Sequence, residues 1–129
     1  AEVARDHVRG PSPSLAGTYP LASYGWTLPR LRRGETIVVD DVATSDVVPA
    51  AARPAMAAVQ IGAHVAAPLV KAGALVGALC VTEPSARRWL PHEVEAVRET
   101  AERIWAAVER TRAEAARHES EARYRTLFE

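Results

Sequence analysis

Residues 64–83, HVAAPLVKAGALVGALCVTE, decide how the rest of the chain is read. Two apolar runs flank Lys71, Ala72 and Gly73, and the glycine can take the positive φ that a tight reversal needs. The segment is therefore expected to form an antiparallel hairpin. Pro68, inside the first run, has no N–H to give to a ladder, so its backbone must face an unpaired side or a bulge. Alternation puts His64 on one face with Ala66, Pro68 and Val70, and Cys80 on one face with Val76 and Ala78. A thiol in mid-strand with such neighbours usually behaves as a small hydrophobe, so Cys80 is expected to be buried.

Upstream, the β-branched run at 36–39 (TIVV) reads as a buried strand entering a loop at Asp40 and Asp41. Those carboxylates could orient a ligand or cap the following turn through backbone N–H groups. Residues 47–62 (VVPAAARPAMAAVQIG) are rich in helix formers, but Pro49 and Pro54 each fit only a first helical turn. Two short helices, or one with a break before Pro54, should result, with Gly62 closing the second. A helical turn is expected over 28–33, ended by Gly34. The Gly, Pro and Ser of 10–20 make a loop, and residues 1–9 alternate as a rather polar strand.

Downstream, no Gly or Pro follows Pro91. The stretch 91–129 can be one helix of about 58 Å, nearly twice the width of a small domain, so its far end must leave the globule. Pro91 suits the first helical position. Leu90 is a poor N-cap, lacking a side-chain acceptor. With Val94 as heptad position a, the a positions run Val94, Ala101, Val108, Ala115 and Ala122. The d positions run Val97, Ile104, Thr111, His118 and Arg125. The seam is apolar from Val94 through Val97, Ala101 and Ile104 to Val108, then fades to small or polar residues. A long polar helix leaving a domain is marginal alone in water, so a parallel partner helix, and hence a homodimer, is the expected arrangement.

Composition bounds the functions available. Sixteen basic and sixteen acidic residues cancel, leaving no electrostatic footprint for nucleic acid or an anionic membrane. The apolar runs fall short of the ~18 residues needed to span a bilayer, and residues 1–20 lack signal-peptide order, so a cytoplasmic location is expected. The lone Cys80 can form no internal disulfide and supplies no pair of metal ligands.

The phrases GETIVVDDVATSD (34–46), the APL of 67–69, the hairpin glycines and RRWLPHEVEAVRETAERIWAAVER (87–110) together resemble a bacterial GAF domain. The closing SEARYRTLFE (120–129) is similar to the lead-in of a PAS domain. The resemblance implies an α+β fold, an antiparallel sheet flanked by helices that is incomplete at the N-terminus, with a long C-terminal signalling helix. It divides the chain into a partial GAF domain (1–90), a helix continuing as a coiled-coil linker (91–118) and the beginning of a PAS domain (119–129).

The function so implied is a non-catalytic sensory module of a multidomain signalling protein such as a histidine kinase, relaying its signal to downstream PAS and kinase modules. Members commonly hold a small molecule between the sheet and the helices over it, which makes Tyr24, Trp26, Asp41, Met56, His64 and Cys80 the candidate pocket residues. The alternative for these side chains is plain core. The bilin attachment phrase, the cyclic-nucleotide signature and a metal-ligand cluster are all missing, so the cofactor is left unknown. Two further readings are a ligand-free dimerisation module and a thiol enzyme acting on free methionine sulfoxide; the latter needs a resolving thiol that one cysteine does not supply.

Overall fold

The computed structural model describes the backbone of Glu2–Val3, Gly17–Thr18 and residues 25–128, and the side chains of residues 25–123. Strands β1 (Glu2–Val3) and β2 (Gly17–Thr18) pair antiparallel. β2 lies within the stretch expected to be loop; the rest of the strand expected over 1–9 lies outside the described residues. A one-turn 3₁₀ segment (Gly25–Thr27) leads into helix α1 (Leu28–Arg32), and β3 (Ile37–Val39) follows. A second 3₁₀ turn (Ala50–Ala52) runs directly into α2 (Arg53–Ala58). Then come β4 (Ala63–Lys71), β5 (Ala74–Glu83) and α3 (Pro91–Phe128).

β3, β4 and β5 form an antiparallel sheet in that order. β4 is covered on both faces, which is why residues 63–67 are all buried and the run reads as continuously apolar. Ala63, Val65, Ala67 and Leu69 face α3, where they meet Trp89, Val94, Val97, Ala101 and Trp105. The opposite face, with Ile37, Val39 and Ala66, packs under a lid made of Leu31, Val42, Val48, Ala52 and Met56. Pro68 sits past Ala66, the last β4 residue that β3 pairs with. Just beyond it the register shifts between Leu69 and Val70, leaving Val76 without a partner. The proline thus sits where a missing ladder donor costs least.

The turns show how the chain meets its backbone constraints. At the hairpin both Ala72 (φ 52) and Gly73 (φ 77) are left-handed. A two-residue turn of this hand matches the strand twist, and Ala72 bears the strain that Asn or Gly would avoid. α1 ends as expected: Gly34 (φ 79) donates to the Leu31 carbonyl at 2.9 Å and Glu35 to that of Arg30 at 3.0 Å.

α2 ends differently from expectation. Gln60 (φ 58), not Gly62, takes the left-handed position, with Gln60 N–H donating to the Ala57 carbonyl and Ile61 N–H to that of Met56. Gly62 has another duty. A Cβ there would lie 2.6 Å from the Pro84 carbonyl oxygen and 2.7 Å from Ser85 backbone atoms. The Gly62 amide also donates to the Glu83 carbonyl at 2.7 Å, while its carbonyl accepts from Val42. It pins the lid loop to the end of β5.

The start of α3 shows why Leu90 suffices there. Glu93 reaches back and accepts the Leu90 N–H at 2.9 Å, so the cap comes from the third helical residue. That hydrogen bond, followed by the nearby Arg87 charge, holds the Glu93 carboxyl below its usual range. α3 stays on the sheet to Val108, after which residues 109–123 are all exposed. Its 38 residues span about 57 Å.

Gly62→Ala is expected to destabilise the domain by about 2 kcal/mol or more, because the opposing atoms are backbone and cannot swing aside. Gln60→Gly should stabilise it by roughly 0.5–1 kcal/mol through relief of a left-handed side-chain residue. Urea unfolding of the two variants checks both signs.

Candidate functional site

Three places bear on function: the layer between lid and sheet, the joint at the start of α3, and an open cavity beside α2. In the first, the 3₁₀ turn carries Trp26 onto the sheet, where its ring meets that of His64 edge-on at 6.0 Å and 72°. Met56 enters from α2 and is buried in the same cluster that Trp26 packs against. Three of the expected pocket residues are therefore brought together, in a packed layer between lid and sheet. Tyr24 lies outside the described residues. Asp41 stands apart at the end of β3, where its Oδ1 accepts the Ala43 N–H at 3.0 Å and its carbonyl accepts from Thr44 and Ser45. This is a turn-capping role.

Cys80 corrects the expectation of burial: it is exposed. It lies opposite Ala66 in the ladder, but the lid cluster meets β5 at Leu75, and Ala78 and Cys80 are both open. Its apolar surroundings still push the thiol pKa up. A raised pKa leaves little thiolate at neutral pH, the reverse of what thiol catalysis needs.

The helical seam divides in two. Val94, Val97 and Ala101 are spent on the sheet, with Trp105 continuing the stripe. Ile104 is 47% exposed and Val108 half-buried. The expected seam thus leaves the sheet along its length, because a straight helix rotates its apolar stripe away from a flat sheet as it proceeds.

The joint at the start of α3 was not anticipated as a functional feature. Trp89 is 8% exposed, its indole N–H donates to the Val39 carbonyl at 2.9 Å, and its backbone N–H donates to Asp40 Oδ1 at 3.0 Å. The Arg87 N–H donates to the Asp40 carbonyl, and the Arg87 guanidinium stacks 4.7 Å over the Trp89 ring. Arg87 also pairs with Glu83 and with Glu93. The end of β3, the end of β5 and the first turn of α3 thus meet at one place.

Of the cavities lined by described residues, two bear on function, and Trp26, Met56, His64 and Cys80 line neither of these. One, of about 220 Å³, lies between Pro68 and the charged face of α3 at Glu95, Arg98 and Glu102. The other, of about 680 Å³ and open to solvent, lies between the 41–43 loop, α2 and Pro84. Arg53 lines it. The sequence signal for this residue was faint, a lone cation before Pro54 in an Ala-rich run. No group of three His, Cys, Asp or Glu side chains among the described residues is placed to hold a metal ion, and no described helix is long and apolar enough to cross a membrane.

This arrangement matches a known family: the GAF domain profile fits residues 3–108. The chain belongs to the GAF domain family. Among solved structures, it is 25% identical, at TM-score 0.57, to a domain of a protein described as a two-component sensor histidine kinase from Sinorhizobium meliloti 1021. That match covers 65% of this chain and 57% of the other. The blue-light-absorbing form of the PixJ GAF domain from Thermosynechococcus elongatus matches at TM-score 0.61 and 17% identity, over 88% of this chain and 72% of the other. The far-red-absorbing dark state of JSC1_58120g3 with bound biliverdin matches at TM-score 0.65 and 15% identity, over 79% and 68%. The chain spans little more than half of several of these relatives, 52% of one PixJ GAF structure among them. No curated protein sequence matches it significantly.

Within this GAF domain His64 is the one buried polar residue among those described, and its Nδ1 has no hydrogen-bond partner. Burial alone lowers its pKa from 6.5 to about 4. The folded state therefore holds it neutral while the unfolded chain protonates it at its ordinary pKa. The associated stability is fully present above pH 6.5 and is lost as the pH falls toward about 4. Between pH 7.5 and 4.5 this amounts to roughly 2–3 kcal/mol. Unfolding free energies measured at those two pH values should differ by that much more in the wild type than in His64→Phe; equal differences in the two proteins would show that His64 is not the group responsible.

Proposed function

We propose that this GAF domain is a cytoplasmic sensory or regulatory module of a bacterial signal-transduction protein, which passes a change in packing from its sheet through α3 to downstream PAS and kinase modules. One observation carries the reading. The first turns of α3 are built into the sheet through Val94, Val97, Ala101 and Trp105, whereas residues 109–123 run free of it. Movement at the sheet therefore has a stiff lever to act on. The similarity to a domain of a sensor histidine kinase protein and to light-sensing GAF domains supports the sensory reading. Histidine-kinase output and a PAS domain after residue 118 belong to the same proposal.

The lever works best against a second copy. Because the sheet occupies Val94, Val97 and Ala101, a parallel partner helix would use Ile104, Val108, Ala115 and Ala122. Their weak apolar character leaves neighbouring registers close in free energy, which suits a switch. A second reading, a dimerisation module that takes no ligand in the lid layer, is favoured by the filling of that layer with Trp26, Met56 and His64. Native mass spectrometry separates the two. A small molecule retained by the domain purified from its host supports ligand sensing, and repeated recovery of bare protein supports the scaffold. The thiol-enzyme reading is disfavoured by the raised pKa of Cys80.

Sedimentation velocity should show a dimer for the wild type. Ile104→Glu should weaken association at least about tenfold without altering unfolding, since Ile104 touches solvent and not the sheet. A strict monomer at all concentrations for the wild type would remove the dimeric basis of the lever.

A further inference from the structure

The geometry points to a binding site for a small monocarboxylate with an apolar body in the open cavity beside α2, with Arg53 as its anion-binding group. This site is separate from the lid layer. The cavity, about 680 Å³, is within the range that small-molecule sites occupy. Val42, Ala57, Ile61 and Pro84 give it apolar walls, and Arg53 is the one cationic residue on its lining.

Arg53 and His64 are the two described side chains with an enclosed nitrogen that has no partner, and of these Arg53 lines the cavity. Nη2 donates to the Ser45 carbonyl at 3.1 Å, while Nε is shut off from solvent with no acceptor. No carboxylate pairs with it among the described residues, whereas six of the other eleven arginines with described side chains have one. A guanidinium has five N–H donors and a permanent charge; the enclosed Nε is out of a ligand's reach, so an anion in the cavity would be held by the Nη groups, whose one acceptor is a neutral carbonyl. The Ser45 hydrogen bond restrains the group, which reduces the ordering a ligand must impose.

The rest of the cavity narrows the class. Asp41 stands on its rim with Oδ1 held by the Ala43 N–H, so a dianionic phosphate would meet a fixed negative charge while a single carboxylate can keep to the Arg53 side. The apolar walls reward a compact hydrocarbon body and give nothing to a sugar or a polyphosphate. A branched or aromatic acid of low molecular weight fits both demands.

The probes are benzoate and isovalerate, their neutral amides, and phenyl phosphate, titrated into the whole chain by calorimetry and followed by amide chemical shifts. Both carboxylates should bind in the millimolar range or tighter, the amides at least about tenfold more weakly, and phenyl phosphate more weakly than benzoate. Shifts should centre on Ala57, Gln60 and Gly62. Arg53→Gln should abolish the preference for carboxylate over amide. Because Arg53 also holds Ser45, Ala57→Trp provides the second variant: it blocks the cavity from the exposed side of α2 and should abolish binding with the unfolding transition unchanged. Absence of carboxylate binding at about 10 mM, amides or phosphate binding as tightly, unchanged binding in Ala57→Trp, or shifts centred on Trp26 and His64 would each overturn the assignment.

Discussion

The hydrogen bond from the Trp89 indole to the Val39 carbonyl fixes where α3 begins, and the rest of the architecture follows from that position. β3 is short, and its far end would fray if left open. Trp89 and Arg87 close it by satisfying the Val39 carbonyl and both the carbonyl and the carboxylate of Asp40. The indole meanwhile fills the space beside Ala63 and Val65, a burial worth on the order of 4–5 kcal/mol before entropy is counted. Small residues on β4 make room for it. Ala63 and Ala67 leave the sheet surface low enough for the indole and for Ala101 to approach closely.

The two faces of β4 are asymmetric in a way that matters for function. Against α3 the packing is apolar and backed by the Arg87 pairs with Glu83 and Glu93, exposed interactions that individually add little but share one residue and so position the helix start. Against the lid the packing contains a neutral, under-bonded histidine, and the first residue of the lid helix α2 is an under-bonded arginine. Both are places where a ligand, a proton or a neighbour could alter the lid at modest cost.

Much of this was legible from sequence, because it rests on local rules. The 36–39 run, the 64–83 hairpin, the Gly34 helix stop and a helix from Pro91 onward all follow from side-chain period and backbone permissiveness, while the α+β class was implied by the resemblance to GAF domains. The missed features are those in which a residue's duty is set by something distant in the chain. Gly62 resembles a helix stop but exists for its contact with Pro84, and Leu90 resembles a failed cap until Glu93 is seen to turn back. Cys80 alternates like a core residue, yet the lid cluster meets β5 at Leu75 and leaves Cys80 open. At the candidate site, sequence identified Trp26, Met56 and His64 as facing one layer. It could not tell a filled layer from a hollow one, because that depends on whether the lid helices descend onto the sheet. Arg53 escaped notice because an unpaired arginine is defined by the acceptors it lacks.

The central claim is that the first turns of α3 form one mechanical unit with the sheet, clamped at Trp89, while the helix beyond Val108 does not. Native-state amide hydrogen exchange tests it directly. Residues 97–105 should open with the same free energy as residues 65–69 of β4, both sets should fall together in Trp89→Phe, and residues 109–123 should exchange much faster. If residues 97–105 exchange through an opening of their own while β4 keeps its full protection, the helix is only resting on the sheet and the account is wrong.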